Sequence, residues 1–448
     1  MEYIGYWKLP NETNEITGVL KYKDDMIVLE LLGSFDGFNL NINNIGYDII
    51  NGFTQDGKEI TLSNCVVIDQ KISFPGMIKQ TFKVDNVLIG KQILSIEDLR
   101  INKVIVTFDY LNDWIEESGA KILREGSKVS FINDGLSTHT YNLKTKSINI
   151  SFNFNIKSTP LISEFSYKQQ AFVEIIFNET KSYFDAFDEV YNFKDFMAMC
   201  IGKKINYIEL KMETEEKKML NIINKENLNL KAKSENFSVK RPLIMYQDIK
   251  NDFELIYNKW TELQENLQPI IDKIIDCDEK YRSFNAQIHF MNTITAIEVF
   301  SRRFMSNCKE SQEDYEKKIK FILDSIENPE YHKWLEGKLR YANEPTLSKR
   351  LKEIFKETKF LVDISSKYRE TISFKIVELR NYYTHFGQDK TIQLTPIEQF
   401  RIYEYLKLVL KILIFKQLNI NVEEIIIKNE SKYRELIAIK NFKECFSL

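Results

Sequence analysis

Residues 148–156 read INISFNFNI, and this stretch decides the character of the first half of the chain. Ile148, Ile150, Phe152, Phe154 and Ile156 fall on one face of an extended backbone, with Asn149, Ser151, Asn153 and Asn155 on the other. That period of two is what a half-solvated antiparallel strand requires. Runs at 26–32, 104–108, 173–177 and 208–212 fit further strands, and turn chemistry such as Asn133-Asp134-Gly135 and Gln55-Asp56-Gly57 lies between several of them. These patterns predict a β-rich domain, an antiparallel sandwich or curled sheet, with one helical insertion at 183–200.

Outward from there the period changes. Residues 226–240 are polar and rich in Lys and Asn, and Pro242 follows, which marks a linker or domain edge. Beyond it Phe253, Ile256, Tyr257, Trp260, Leu263 and Leu267 recur with helical spacing on a long helix that Pro269 should kink or end. A second helix carries Phe284, Ile288 and Met291, and others are expected at 313–327, 346–360, 366–386 and 396–418. The expected fold class is α+β: a β-rich N-terminal domain over residues 1–240, then an all-α bundle of five or more helices over 241–448.

Composition narrows the function. The 448 residues are 43% hydrophobic and 28% charged, with 31 Phe and 22 Tyr against 15 Gly and 8 Pro, so a disordered or collagen-like chain is excluded and a large core is available. Sixty-two basic and sixty-five acidic residues give a net charge of -3, so no global field draws the protein to nucleic acid or an anionic membrane, and any phosphate site must be local. Cys65, Cys200, Cys277, Cys308 and Cys445 are widely spaced and form no CxxC pair, which argues against a disulfide framework or structural zinc and for a reducing, cytoplasmic setting. The opening MEYIGYWKLPNETNE lacks the basic flank and apolar run of a signal peptide. The most apolar late stretch, YLKLVLKILIF at 405–415, is too short to span a bilayer, is cut by Lys407 and Lys411, and reads as a buried amphipathic helix.

A search for chemistry removes several classes. The pairs Gly90-Lys91 and Gly202-Lys203 fail as phosphate loops, with Asp85 and Met197 where the first Gly belongs and Gln92 and Lys204 where Ser or Thr belongs. The four His include no HExxH and no two at helical spacing, so neither a catalytic metal cage nor a cofactor is expected, and no GxSxG elbow occurs. What remains is ELRNYYTHFG at 378–387, on a helix whose buried stripe is Ile372, Ile376, Leu379 and Tyr383. Asn381 and His385 are four apart, so the amide can reach the imidazole and set its tautomer. Gly387 suits a C-terminal cap, which places His385 in the last turn, where the helix dipole favours a cation.

An imidazole beside a permanent guanidinium is what metal-independent RNA cleavage needs. Attack by the 2′-hydroxyl requires a proton acceptor, the departing 5′-oxygen a proton donor, and the phosphorane a cation; His serves the first two roles and Arg the third. One chain offers one such histidine, so a second is most economically supplied by His385 of another copy across a two-fold axis.

Arg380-Asn381-x-x-x-His385 resembles the RNxxxH form of the Rx4-6H signature of HEPN ribonucleases, all-α domains that dimerise to form a composite metal-independent site. Gly5-Tyr6-Trp7 with Leu9-Pro10, ITGVLKY at 16–22 and LELLGSF at 29–35 resemble the β-rich N-terminal domain of the ApeA group of bacterial anti-phage abortive-infection proteins. The C-terminal half is similar to that group's HEPN domain, so the resemblance covers nearly the whole chain. It implies an endoribonuclease activated during phage infection and acting on host RNA, tRNA included, as a homodimer through the helical domain, with the N-terminal half as sensor of a phage-derived trigger and no membrane partner. His385 would transfer protons, Arg380 bind phosphate and Asn381 orient the imidazole. A further acidic residue on an earlier helix is expected, with Glu298 in TAIEVFSRRF as the candidate.

Plainer readings stand beside these. A His near a helix C-terminus is commonly a cap, and Glu298 with Arg302 four residues on is commonly a solvated ion pair. The clusters Lys338/Arg340, Lys349/Arg350/Lys352 and Arg302/Arg303 line an RNA path or merely a solvated face. His139 reads as a surface residue, and His289 and His332 as ordinary polar ones. Trp7 is a buried strand anchor or, with Tyr6, a stacking platform for a base or sugar. The rival functions are a non-catalytic sensor, adaptor or nucleic-acid-binding protein in phage defence and, further off, a carbohydrate-binding module.

Overall fold

The computed structural model describes residues 2–23, 26–37, 46–73, 75–228, 233–237, 241–275, 286–305, 310–340, 342–385, 394–429 and 436–446. The chain falls into two compact units: Met1–Met197 with Ile205–Phe237 and Met245–Asn258, and Ala198–Lys204 with Ser238–Ile244 and Lys259–Leu448.

The first unit is built on strands β1 (Glu2–Lys8), β2 (Ile16–Lys23), β3 (Met26–Leu31), β4 (Gly46–Thr54), β5 (Glu59–Ile72), β6 (Ile78–Ile89) and β7 (Arg100–Phe108), helix α1 (Leu111–Ile115), and strands β8 (Ala120–Glu125), β9 (Lys128–Asn133), β10 (His139–Asn142), β11 (Lys146–Ser158) and β12 (Phe165–Ser182). Helix α2 (Tyr183–Ile201), β13 (Tyr207–Thr214), β14 (Met219–Asn224) and α3 (Tyr246–Ile249) follow. The pairings are antiparallel throughout, as the alternation predicts. The sheet is curled. Strands in the order β6-β3-β2-β1-β4-β5 return from β5 to β6 and close a barrel. β6 meets β3 along Gln80–Val84 and β14 along Asn86–Ile89, so the rest of the sheet, β14-β13-β7-β12-β11-β10, branches from the ring there.

Apolar side chains fill the barrel. Trp7, Leu20, Leu29, Ile50, Leu62 and Phe82 are all at 0% exposure. Gly52 is required beside Trp7, since a Cβ there would lie 2.4 Å from the indole ring. Tyr6, one residue away, points out at 56% exposure. Trp7 is therefore the buried strand anchor, and the stacking-platform reading loses that residue.

β11 takes the predicted strand but only part of the predicted burial. Ile148 and Ile150 are covered, whereas Phe154 and Ile156 are exposed. The reason is register: β7 reaches β12 only as far as Val173, so residues 152–158 pair with 165–171 in a hairpin that projects past the sheet. At its tip Ile162 sits at φ 53, a left-handed conformation costly for a β-branched residue. The expected insertion is α2, whose Ala186, Val190, Phe193, Phe196 and Met197 are buried at helical spacing. The polar stretch 226–240 is tied down where it is described: Lys233 N–H donates to Asp109 Oδ1 at 2.7 Å, and buried Phe237 stacks on Tyr110.

The helical half runs through α4 (Phe253–Ile275), α5 (Ala286–Phe304), α6 (Gln312–Asp324), α7 (Pro329–Leu339), α8 (Leu347–Glu357), α9 (Ser366–His385), α10 (Pro396–Gln417), α11 (Val422–Asn429) and α12 (Ile437–Phe446). The expected all-α character holds. Of the two outcomes expected at Pro269, a kink or an end, the end does not occur, since Pro269 lies inside α4. Two readings are corrected. The segment 405–415 is buried on every side rather than amphipathic: in α10 all of it except Lys407 is covered, Lys411 included. α7, α11 and α12 carry too short an apolar stripe to stand out in the sequence. α10 packs against α5 and α12, with Tyr405 stacked on Phe442 at 3.8 Å between centroids.

Candidate functional site

The site candidates lie where α5 and α9 pack. α9 is held by Ile372, Ile376 and Leu379, all buried, so the residues on its other faces are free to reach solvent. Tyr383, the fourth member of the expected stripe, is partly covered. His385, in the last described turn of α9, is exposed. Gly387, the expected cap, lies outside the described residues. Thr384 Oγ1 donates to the Arg380 carbonyl at 2.8 Å, fastening the last turn.

Arg380 and Glu298, 82 residues apart, meet across the two helices: Arg380 Nη2 donates to Glu298 Oε1 at 3.4 Å, with the side chains 32% and 25% exposed. Arg380 Nη1 donates to Asn381 Oδ1 at 3.2 Å. Among the described residues these bonds occupy two of the five guanidinium N–H groups, and the remainder are available to a non-bridging phosphate oxygen. The Glu298 carboxylate fixes the direction of the fork, while 3.4 Å in partial contact with water makes for a pair that an incoming anion can rearrange.

Two expectations change at this point. Glu298 does not form the intrahelical pair with Arg302; Arg302 Nε instead meets Glu344 Oε2 at 3.1 Å. Asn381 directs its carbonyl oxygen to Arg380, so its described hydrogen bond orients the guanidinium rather than the imidazole. Arg302 is drawn to a carboxylate that packing brings up from outside its own helix, while the long Arg380 side chain reaches the amide of the residue next to it.

The basic clusters are largely committed to structure. Arg350 is buried and donates to Ser301 Oγ at 3.0 Å, the Pro345 carbonyl at 3.1 Å and Glu344 Oε2 at 3.0 Å. Arg303 donates to backbone carbonyls of α4, and Lys352 pairs with Glu370 at 2.8 Å. Hence Arg302/Arg303 and Arg350/Lys352 do not form the free cationic path that their spacing suggested. Of the other histidines, His289 is buried against the ring of Tyr403, and His139 pairs with Glu117 at 2.7 Å.

One contact near the motif carried no sequence signal as a pair: the Tyr383 hydroxyl donates to Gln399 Oε1 in the first turn of α10. A Gln just after the start of a helix is ordinary in sequence, and only the approach of the two side chains in space reveals it.

The family model for ApeA N-terminal domain 1 matches residues 2–260, more than half of the chain. The model for Apea-like HEPN matches residues 291–424, a range that includes Glu298, Arg380, Asn381 and His385. No curated protein and no solved structure matches the chain.

Proposed function

Because this chain belongs to the ApeA family of HEPN-type anti-phage defence proteins, whose HEPN domains are generally RNases, we propose that it is a metal-independent endoribonuclease that cleaves host RNA, tRNA among its targets. The observation that carries this reading is the surface-accessible Arg380 fork, aimed by Glu298 and Asn381, just over one turn before an exposed His385 on the same helix. In the proposed reaction an imidazole takes the 2′-hydroxyl proton as O2′ attacks phosphorus, Arg380 holds the non-bridging oxygens as negative charge builds, and a second imidazole protonates O5′ as the P–O5′ bond breaks. The products are a 2′,3′-cyclic phosphate and a 5′-hydroxyl. The second imidazole comes from His385 of a second copy, which makes the active form a homodimer through the helical domain. The β-rich half serves as the sensor that a phage-derived trigger engages, and the setting is the cytoplasm.

Incubating the purified protein with total RNA in EDTA tests the proposal. His385→Ala and Arg380→Ala should each lower the cleavage rate by about 10²-fold or more, and the products should carry cyclic phosphate ends. Equal cleavage by wild type and both variants overturns the assignment. Phage protection that survives His385→Ala favours the non-catalytic adaptor instead.

A further inference from the structure

A proton-transfer group on an exposed face of a helix works only if something holds the turn that carries it, since catalytic geometry must be kept within about 0.5 Å. His385 is exposed in the last described turn of α9. That turn carries a tether.

Tyr383 lies two residues before His385, about 200° around the helix, so one side chain faces inward when the other faces solvent. Its hydroxyl donates to Gln399 Oε1 on α10. Gln399 is 5% exposed, and its Nε2 donates at 2.9 Å to the carbonyl of Leu394, just before α10 begins. Both ends of this amide are thereby used, which fixes which way it points. The start of α10 is itself locked: Thr395 Oγ1 accepts from Glu398 N–H, and Thr395 N–H donates to Glu398 Oε2 at 2.7 Å, a complete capping box. The Tyr383 ring also meets Phe290 of α5 edge-on at 6.2 Å. Burial raises the Tyr383 hydroxyl above its ordinary pKa, so it stays a donor throughout the physiological range.

We propose that Tyr383 and Gln399 are positioning residues for His385: the relay Tyr383–Gln399–Leu394 ties the last described turn of α9 to the capped start of α10 and so sets where the imidazole is presented. The proposal builds on the ribonuclease reading for its catalytic consequence, but not for its structural one. Removing the hydroxyl in Tyr383→Phe leaves the ring contact with Phe290 and the Gln399–Leu394 bond in place and cuts the tether alone. Gln399→Met keeps the volume and cuts both links.

The test uses the full-length protein with isotope-labelled histidines, the His385 imidazole signal being identified by its loss in His385→Gln. Tyr383→Phe should shift the His385 signal while the signals of His139, His289 and His332 stay in place, with Tm unchanged to within about 2 °C. RNA cleavage by the same variant should show kcat lower by about 10-fold with KM within twofold, and Gln399→Met should change in the same direction. An unmoved His385 signal in Tyr383→Phe overturns the proposal, as does movement of all four histidine signals together with a fall in Tm. Should wild type fail to cleave RNA while the His385 signal still moves selectively, the tether stands and the ribonuclease reading falls.

Discussion

At the scale of single residues, Glu117 shows how much can hang on one carboxylate. Its Oε2 meets His139 Nε2 at 2.7 Å, and its Oε1 accepts from Lys250 Nζ at 2.7 Å and Gln247 Nε2 at 2.9 Å. Burial alone would raise its pKa, but Lys250, Gln247 and His139 outweigh that and hold it at about 2, below the ordinary 4.5. A depressed folded-state pKa means the stabilisation is complete above the ordinary value and is lost as pH falls toward the folded one. Allowing for partial contact with water, Glu117→Gln should cost about 1–2 kcal/mol at pH 7, the deficit narrowing between about pH 5 and pH 2; thermal unfolding of both proteins across that range checks it. None of this was legible, since the four residues are up to 133 positions apart and His139 reads as a surface residue. The Arg380, Asn381 and His385 set was legible because one helix carries all three, whereas Glu298 was singled out through family resemblance and its partner came from packing.

Among the elements, α4 shows how a helix runs on past a proline. Pro269 has no N–H to offer the Glu265 carbonyl one turn back, which is why a helix is expected to kink or end there. Arg303 of α5 supplies the donor instead: its Nη1 reaches the Glu265 carbonyl at 3.1 Å and the Asn266 carbonyl at 2.7 Å. Arg303→Ala should therefore destabilise the protein by about 1 kcal/mol, and by less than half of that in a Pro269→Ala background where the helix makes its own bond. A denaturant-based double-mutant cycle measures the difference, and equal costs in both backgrounds would dismiss the explanation. Periodicity identifies α4, α5, α6, α8, α9 and α10 because each presents a sustained apolar stripe. It misses α7, which buries no residue, and it could not show that a cation 34 positions on would rescue the proline.

For the whole molecule, composition marks residues 226–240 as the place where the chain turns polar, but packing carries Met245–Asn258 into the first unit. Phe253 and Tyr257 are fully buried there, with ring centroids 4.5 Å from Tyr141 and 5.3 Å from Phe196 respectively. Composition could not reveal this, because the partners are aromatic residues more than fifty positions upstream. A fragment ending at Lys240 should expose that cluster, lose about 2 kcal/mol for each aromatic ring left uncovered and aggregate. One ending at Asn258 should remain monomeric and unfold cooperatively; size-exclusion chromatography and thermal melts of the two decide it. The closed ring has a consequence for birth as well as for stability. Its strands β1 to β6 all lie between Glu2 and Ile89, so the barrel can shut while most of the chain is still on the ribosome. At about 5–20 residues per second, His385 is added roughly 15–60 s after Ile89. The helical residues are thus added only after the barrel has had time to close.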